Sequence, residues 1–205
     1  MSRSKSNSES QAKGIQKVRD GILALKTQLA DERRQNNTFP VIGEGDLNSK
    51  IMFVGEAPGK KESLTGKPFC GASGKFLDIL LNSIGLDRTT VYVTNLVNDR
   101  PTDNRDPFPE EIAIYGKFLE KQIEIIRPKV IVTLGRLSMK YIFEYAGIGC
   151  ELLPISKIHG KVFKGKTGYG KVDIIAMYHP AVALYKGSNR KVLLDDFHNI
   201  KSLLV

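Results

Sequence analysis

Four short apolar runs rich in β-branched residues are spaced along the chain, and they limit most strongly what it can fold into. They cover residues 50–55, 91–97, 129–135 and 172–178, and segments with apolar residues at helical spacing separate them. Strands that alternate with helices are typical of a parallel sheet with helices packed on its faces. The chain is therefore predicted to adopt an α/β fold with three layers, α/β/α, around a mainly parallel four-stranded sheet.

The N-terminal part of the chain divides at about residue 13. Residues 1–13 are rich in Ser, Asn, Gln and charged side chains and contain almost nothing to bury, so they are predicted to form a disordered leader. From residue 14, apolar residues recur at helical spacing, which predicts one amphipathic helix to about residue 33. A chain of 205 residues suits one medium-sized domain with ample core, and we place that domain at residues 14–205.

Three of the predicted strands end in unusual polar groups, which are Glu56, Asn95 and His179. In a parallel sheet the carboxyl ends of the strands lie along one edge, so these side chains are predicted to converge on one pocket. Each residue alone has a plainer explanation. A glutamate there fits a helix cap, an asparagine fits a turn, and a histidine before proline is ordinary. The three together favour a functional site.

The loop over residues 55–74 supplies more of the predicted pocket. Gly55 lets a ligand approach the backbone closely, and Phe69 is placed either to stack on a planar ring or to pack in the core. The Asn95 amide both donates and accepts, which matches the edge of a nucleobase. Neither GxxxxGK[ST] nor GxGxxG spacing follows a strand, and the three histidines have no partners at metal spacing. We therefore predict a pocket for a planar heterocycle and no metal site.

The charge of the chain favours a polyanionic partner. Its net charge is +9, and between residues 152 and 194 Asp173 is the only acid beside eight lysines and arginines. This asymmetry predicts a basic face, with nucleic acid as the first candidate partner. A merely solvated lysine surface is the alternative, because charge alone carries no specificity.

The compartment follows from the cysteines and from hydropathy. The two cysteines, Cys70 and Cys150, lie far apart and outside any CxxC pair, which indicates free thiols in a reducing compartment. No apolar run approaches the roughly 20 residues that cross a bilayer, and the charged, Ser-rich start lacks the apolar core of a secretory signal. A cytoplasmic protein is expected, or a nuclear one in a eukaryote, without a membrane partner.

Four motifs resemble, in order and spacing, those of the family 4 uracil-DNA glycosylases: GEAPGKKESLTGKPFCGASG (55–74), VTNLVNDRPTDNRDPFPEE (93–111), RPKVIVTLGR (127–136) and YHPAVAL (178–184). The resemblance covers about residue 23 to the C-terminus. It implies the uracil-DNA glycosylase fold, uracil-containing DNA as substrate, and hydrolysis of the N-glycosidic bond to leave an abasic site in base excision repair. A monofunctional and monomeric enzyme is expected.

The resemblance also implies roles for single residues. Glu56 is implied to orient or activate the attacking water and to stabilise the sugar cation, and Asn104 to lie near that water. His179 is implied to hydrogen-bond a uracil carbonyl oxygen, so it is both a catalytic and a base-binding candidate. The other candidates are Gly55, Phe69 and Asn95 for the base, Glu62 for support of the first loop, and Lys186, Arg190 and Lys191 for DNA.

The chain departs from the family pattern in one respect. Typical members hold a [4Fe-4S] cluster with four cysteines, and the matching positions here are Ala24, Thr27, Asp99 and Tyr115. None of these side chains replaces a thiolate ligand. No cluster and no other cofactor is therefore predicted. Apolar packing of the N-terminal helix against Tyr115 is expected to hold this region instead.

Two alternatives to uracil excision stay open from the sequence. One is a DNA-binding homologue whose catalysis is impaired by the loss of the cluster. The other is a glycosylase that accepts further deaminated bases such as hypoxanthine, because the Asn95 amide does not exclude them. The intact acid, asparagine and histidine motifs favour an active enzyme, with uracil as the leading substrate.

Overall fold

The computed structural model describes residues 2–203, with side chains for residues 8–203, and Met1, Leu204 and Val205 lie outside the described residues. Within this range six strands form one sheet. The strands are β1 (Gly43–Gly45), β2 (Ile51–Gly55), β3 (Tyr92–Asn95), β4 (Val130–Leu134), β5 (Val162–Thr167) and β6 (Gly170–Met177). Their order across the sheet is β1-β3-β2-β4-β6-β5.

The centre of the sheet is parallel, as the sequence predicts. Strands β3, β2, β4 and β6 run parallel, with Gly55 beside Asn95 and Leu134 beside Met177 at their carboxyl ends. Strands β1 and β5 pair antiparallel at the two edges. The predicted number of four strands is therefore corrected to six. Strand β1 reads Gly-Glu-Gly and has no apolar pattern to reveal it, whereas β5 forms an antiparallel hairpin with β6.

Helices cover both faces of the sheet. Those described are α1 (Ser2–Leu23), α2 (Gln28–Gln35), α3 (Lys60–Thr65), α4 (Ala72–Ser83), α5 (Pro109–Ile126), α6 (Arg136–Tyr145), α7 (Ile155–Ile158), α8 (Val182–Tyr185) and α9 (Ser188–Lys201). Alternate residues of β2 enter two separate core clusters, Met52 and Val54 with α1, α2, α5 and α6, and Ile51 and Phe53 with α4 and α9. The expected three-layer α/β/α class is confirmed.

The N-terminus differs from the predicted disordered leader over residues 1–13, because helix α1 runs through this stretch from Ser2. The contacts described within residues 8–13 come from a polar side chain, which is why apolar content did not reveal this part of the helix. The Gln11 side-chain amide donates to the Leu47 carbonyl at 2.9 Å and to the Ile125 carbonyl at 3.2 Å. A single domain over residues 14–205 stays a prediction, which the one continuous sheet supports.

The single helix predicted over residues 14–33 is two helices. Helix α1 ends at Leu23, and α2 begins after Thr27, whose hydroxyl accepts a hydrogen bond from the Ala30 N–H at 3.2 Å. A threonine in this position satisfies one of the free N–H groups of a new helix. The break turns α2 so that Leu29, Ala30 and Arg33 are buried.

Candidate active site

A cleft of about 350 Å³ lies at the carboxyl ends of the parallel strands. It is lined by residues from four separate stretches of the chain, which are Glu56, Ala57, Pro58, Gly59, Glu62, Phe69, Ser73, Asn95, Pro101, Asn104, Arg105, Asp106, Pro107, His179 and Ala181. The convergence expected for Glu56, Asn95 and His179 is therefore present. Glu62, Phe69 and Asn104 join them, while the roles of all six residues stay predictions.

The Glu56 carboxylate is held by the first turn of helix α6. Its Oε1 accepts a hydrogen bond from the Leu137 N–H at 3.0 Å, where the helix has free backbone donors. Gly135 makes this approach possible, because a Cβ at that position would lie 2.5 Å from Glu56 Oε1. Glu56 thus does cap a helix, although this helix is α6 and not the one that follows Glu56 in the sequence, and its side chain also lines the cleft.

Two opposing influences set the pKa of Glu56. Burial raises the pKa of its carboxyl above the ordinary value, and the hydrogen bond from the Leu137 N–H opposes this rise. The negative charge of Asp106 raises the pKa further, whereas the positive charge of Arg136 lowers it. Asp106 and Arg136 pair with each other at 2.6 Å beside the cleft. The net effect is that Glu56 takes up a proton at a higher pH than an ordinary glutamate.

Asn95 and Phe69 form a second side of the cleft over a glycine. Asn95 ends strand β3 and is 2% exposed, and Phe69 is 6% exposed. Gly55 lies beneath both, since a Cβ there would come within 2.3 Å of Asn95 Oδ1 and 2.7 Å of Phe69 Cζ. Among the hydrogen bonds of residues 8–203, none occupies the Asn95 amide. Its donor and acceptor are therefore free for a ligand in the cleft.

His179 is held as a neutral imidazole with a defined proton position. Burial lowers its pKa from 6.5 to about 4, with Glu62 opposing the shift. Its Nδ1 lies 3.2 Å from the Ala181 N–H and accepts from it, so the single proton of the neutral ring is on Nε2. The ring packs against Phe69 with 5.7 Å between centroids. His179 therefore offers a neutral N–H donor to the cleft.

Glu62 links the two halves of the loop that carries Glu56 and Phe69. It is buried in helix α3, and its Oε1 accepts a hydrogen bond from the Gly71 N–H at 2.8 Å. Its other oxygen faces Gly59, where a Cβ would lie 2.8 Å away. This geometry fits the predicted role of loop support. It also makes Glu62 one of three carboxylates in the lining of the cleft, with Glu56 and Asp106.

Asn104 lies at the mouth of the cleft and is exposed. It ends a short 3-10 turn, Thr102–Asn104, in which both Asp103 and Asn104 have a φ of 55°. Such left-handed backbone is unfavourable for residues other than glycine, although asparagine and aspartate tolerate it best. The Arg100 Nε–H donates to Asn104 Oδ1 at 2.8 Å, which fixes the side chain.

The three predicted DNA-binding residues lie outside the lining of the cleft. Lys186, Arg190 and Lys191 are all exposed, on the segment from the end of α8 into α9. The Arg190 guanidinium lies over the Phe76 ring at 4.9 Å. Beside them Tyr185 is 89% exposed, the largest exposed fraction among the large apolar side chains described. Charge and an exposed ring therefore lie on the segment that follows Ala181, a residue of the cleft lining.

Sequence reasoning missed four residues around the cleft, which are Ser73, Arg105, Asp106 and Arg136. Arg105 pairs with Glu111 at 2.7 Å and lies over the Phe108 ring at 3.8 Å, so most of its role is structural. Asp106 lines the cleft directly and influences Glu56. The only signal for it was its place in the polar, proline-rich segment after a strand. Arg136 follows strand β4, so the strand-end argument applied to it as well.

Comparison with known proteins identifies the family. The model of the uracil DNA glycosylase superfamily matches residues 42–198. The chain belongs to this superfamily. It is 42% identical over 192 residues to the type-4 uracil-DNA glycosylase of Sulfurisphaera tokodaii, covering 93% of this chain and 85% of the relative. It is 47% identical over 186 residues to that of Archaeoglobus fulgidus, covering 91% and 90%. The expected resemblance to family 4 is confirmed.

The residues of this superfamily member do not fit the iron–sulfur cluster that the resemblance implies. Such clusters are held by thiolates, whereas Tyr115 donates its hydroxyl proton to Asp99 at 2.6 Å and Thr27 lies 3.3 Å from the Tyr115 oxygen. The fourth position, Ala24, is exposed. Over residues 8–203, no group of three or more His, Cys, Asp or Glu side chains is arranged to hold a metal ion.

The apolar packing expected in place of the cluster is present, but polar contacts accompany it. Val18 and Ile22 of helix α1 do share a core cluster with Tyr115. Three of the matching positions are also joined by polar contacts, which the expectation of apolar packing did not include. The reason is that Thr27, Asp99 and Tyr115 carry complementary donors and acceptors, which burial forces to pair.

Proposed function

We propose that this chain removes uracil from DNA by hydrolysing its N-glycosidic bond, as a monofunctional glycosylase of base excision repair that leaves an abasic site. The observation that carries the proposal is the asymmetry of the cleft. A carboxylate, Glu56, lines one side, while a free amide on Asn95 and a neutral N–H on His179 line the other. The type-4 names of the relatives support the same activity.

The proposed reaction breaks the bond between C1′ of the deoxyribose and N1 of the base, and the bonding electrons leave with the base. Water adds at C1′ and loses a proton, and the base gains one. Positive charge develops on the sugar in such glycosyl transfers, and negative charge on the departing ring. Glu56 opposes the first charge, and the His179 N–H opposes the second at a carbonyl oxygen. No amine of the protein needs to bond the sugar.

The base is recognised by its edge and its face. The Asn95 amide presents a donor and an acceptor side by side, which matches the adjacent carbonyl and N–H groups of uracil. Phe69 supplies the stacking surface for a base extruded from the helix. Because Gly55 leaves no side chain between them, the ring and the amide share one small volume.

The segment from the end of α8 into α9 is proposed to bind the DNA duplex. We propose that Lys186, Arg190 and Lys191 contact phosphates and that Tyr185 enters the gap left by the extruded base. The exposure of these side chains supports both proposals. Phosphate contacts release counterions, so this part of the binding weakens with salt. Neutralising the three cations should flatten the salt dependence of binding.

We further propose that the enzyme works without an iron–sulfur cluster and as a monomer. The oxygen side chains at Thr27, Asp99 and Tyr115 support the first point, and an iron and sulfide assay that found about one cluster per chain would overturn it. The second is tested by the molar mass of the protein in solution. Its substrate would place the protein with cellular DNA, in the cytoplasm or in a nucleus. No helix within residues 2–203 is long and apolar enough to span a membrane.

The test is release of uracil from a labelled oligonucleotide with one uracil, followed by alkaline cleavage of abasic sites. Wild type should cleave this strand and leave a cytosine strand intact, and a hypoxanthine strand tests broader specificity. Glu56→Gln and His179→Ala should each be slower by about 100-fold or more. Glu44→Gln, an exposed glutamate of β1, is the control and should match wild type.

Two results would count against the proposal. If wild type binds the uracil strand but produces no abasic sites, the chain is a DNA-binding homologue without activity. If Glu56→Gln and His179→Ala react as fast as wild type, the activity exists but the assignment of the site is wrong.

A further inference from the structure

A buried polar network joins the N-terminal helices to the segment that follows strand β3. We call its four residues, Thr27, Arg33, Asp99 and Tyr115, the polar knot. Arg33 is 6% exposed, Asp99 1% and Tyr115 0%. A buried ion pair is tolerated only when its groups are well hydrogen-bonded, so the contacts of the knot decide whether it stabilises its surroundings.

Asp99 is the centre of the polar knot. Arg33 Nη1 donates to both of its carboxylate oxygens, at 3.0 Å and 2.9 Å. The Tyr115 hydroxyl donates to Asp99 Oδ2 at 2.6 Å, and Thr27 Oγ1 lies 3.3 Å from the Tyr115 oxygen. Donors from helices α2 and α5 therefore fix one aspartate from two directions.

Arg33 also binds the end of helix α1. Its Nη1 lies 3.4 Å from the Ile22 carbonyl oxygen, and its Nη2 donates to the Leu23 carbonyl at 3.2 Å. The last carbonyls of a helix lack partners within the helix and carry partial negative charge, which favours a cation there. One guanidinium thus connects the end of α1 to Asp99 through α2.

The knot holds a segment that begins and ends at the cleft. We call residues 95–104 the recognition segment, because Asn95 and Asn104 both line the cleft. Helix α2 contacts this segment a second time, where the Thr102 hydroxyl donates to Glu32 Oε2 at 2.6 Å. The segment ends in the left-handed turn at Asp103 and Asn104, a conformation that persists only when its surroundings hold it.

We infer that the polar knot fixes the recognition segment and thereby positions Asn104 in the cleft, at the place in the fold where the family pattern has a metal cluster. Arg33 and Tyr115 are positioning residues, because neither lines the cleft. The inference rests on the proposed function for its kinetic readout. A second readout, hydrogen exchange, is independent of activity.

The first test compares two neighbouring arginines of α2. Arg33→Met keeps a long side chain but removes the guanidinium from the knot, and it should slow single-turnover uracil release about tenfold or more, since small displacements of a catalytic group have large effects. Arg34→Met is the control, because the Arg34 side chain is exposed and, among the hydrogen bonds of residues 8–203, binds the Leu25 carbonyl and Asp31 but not Asp99. It should react like wild type. Equal rates for both variants would overturn the inference.

A milder pair guards against misfolding of Arg33→Met, which leaves the Asp99 charge without its ion-pair partner. Tyr115→Phe removes one hydroxyl that donates to Asp99, and Tyr145→Phe removes one that donates to Glu124 at 2.8 Å, away from the cleft. Tyr115→Phe should slow the reaction about threefold, and Tyr145→Phe should leave the rate unchanged while both lose some stability. A loss of stability with no change in rate for Tyr115→Phe would make the knot merely structural.

A double-mutant cycle connects the knot to Asn104. The loss caused by Tyr115→Phe should largely disappear in an Asn104→Ala background, because a residue that acts through Asn104 has nothing left to position. Equal losses in both backgrounds would contradict the inference.

Hydrogen exchange separates this inference from the proposed function. In Arg33→Met the amides of the recognition segment should exchange at least about tenfold faster, while those of helix α4 stay protected. If wild type releases no uracil but this pattern appears, the proposed function fails and the holding role of the knot stands. If the segment keeps its wild-type protection, the knot does not hold it, whatever the activity.

Discussion

The two sides of the cleft differ in charge and in how they are held. On the acidic side, Glu56 is fixed by a backbone N–H of helix α6, and Asp106 and Arg136 tune its pKa. On the neutral side, the amide of Asn95 and the uncharged ring of His179 pack around Phe69 over a glycine. The difference teaches that the proposed reaction would use the charge of Glu56 against a sugar cation, while Asn95, His179 and Phe69 would read a neutral ring through shape and hydrogen bonds. Glu62 is the exception, because its carboxylate lines the cleft and acts on the pKa of His179.

The largest expected effect comes from filling the neutral side. Gly55→Ala places a methyl group 2.3 Å from Asn95 Oδ1 and 2.7 Å from Phe69 Cζ, so both must move. Uracil release should fall about 100-fold, as expected when recognition groups shift by about an ångström. Single-turnover kinetics measures this. Gly149→Ala, where the new Cβ would meet only Glu144 at an ordinary contact distance of 3.6 Å, is the control. An unchanged rate for Gly55→Ala would show that Asn95 and Phe69 do not bind the base.

The second effect concerns the neutrality of His179. Its pKa is about 4 in the folded protein against an ordinary 6.5, so between these values the unfolded chain binds a proton that the folded protein does not. The stability that depends on a neutral ring is present above pH 6.5 and is lost as the pH falls towards 4. The loss should be roughly 2 kcal/mol by pH 4.5. Urea unfolding at pH 7 and pH 4.5 measures it.

The control for this effect is the comparison with His179→Asn, which carries no titrating ring. Between pH 7 and pH 4.5 that variant should lose roughly 2 kcal/mol less stability than wild type loses. The exposed His198→Asn should follow wild type. Parallel pH dependence of wild type and His179→Asn would show that His179 is not held neutral by burial.

The third effect tests how the acidic side is held. Gly135→Ala places a methyl group 2.5 Å from Glu56 Oε1 at a φ of +111°, so the carboxylate must leave its hydrogen bond. The rate should fall about tenfold. Gly147→Ala matches the backbone strain, with a φ of +73° and no atom within 4 Å of the new Cβ. It should lose stability without slowing uracil release, and a similar loss of rate in both variants would assign the effect to strain alone.

The smallest expected effect is a shift of the acid limb of the pH–rate profile. Because burial raises the pKa of Glu56, activity should fall below a pH that is higher than 4.5. Arg136→Gln removes a positive charge and should shift the limb to higher pH, whereas Asp106→Asn should shift it to lower pH. Shifts in the same direction would show that the charges of this ion pair do not set the pKa of Glu56.

Much of the fold could be predicted because its signals are local. Four apolar runs and the helical segments between them predicted the parallel centre of the sheet, and their polar ends predicted where Glu56, Asn95 and His179 meet. Strand β1 was missed since a Gly-Glu-Gly sequence carries no alternation. Helix α1 was missed over residues 2–13 because the contacts described there come from the amide of Gln11, which leaves no apolar pattern in the sequence.

The polar knot shows why the rest could not be predicted. Arg33 and Asp99 are 66 residues apart, and in sequence each looks like an ordinary surface charge. Only the break between α1 and α2 turns Arg33 inward, and that break depends on a cap at Thr27. The effect of Asp106 and Arg136 on the pKa of Glu56 could not be predicted from the sequence either, since these two residues come from different loops. Ion pairs between residues that are distant in the sequence produce no periodic pattern along the chain.

The exposed ring of Tyr185 has a consequence for the thermodynamics of binding. The free protein keeps this ring 89% exposed and Leu184 51% exposed, so water covers apolar surface next to the cleft. Entry of either side chain into a base stack releases that water, and burial of apolar surface lowers the heat capacity. Calorimetry should therefore find a negative heat-capacity change on binding DNA. A complex formed through phosphate contacts alone would leave this hydration in place.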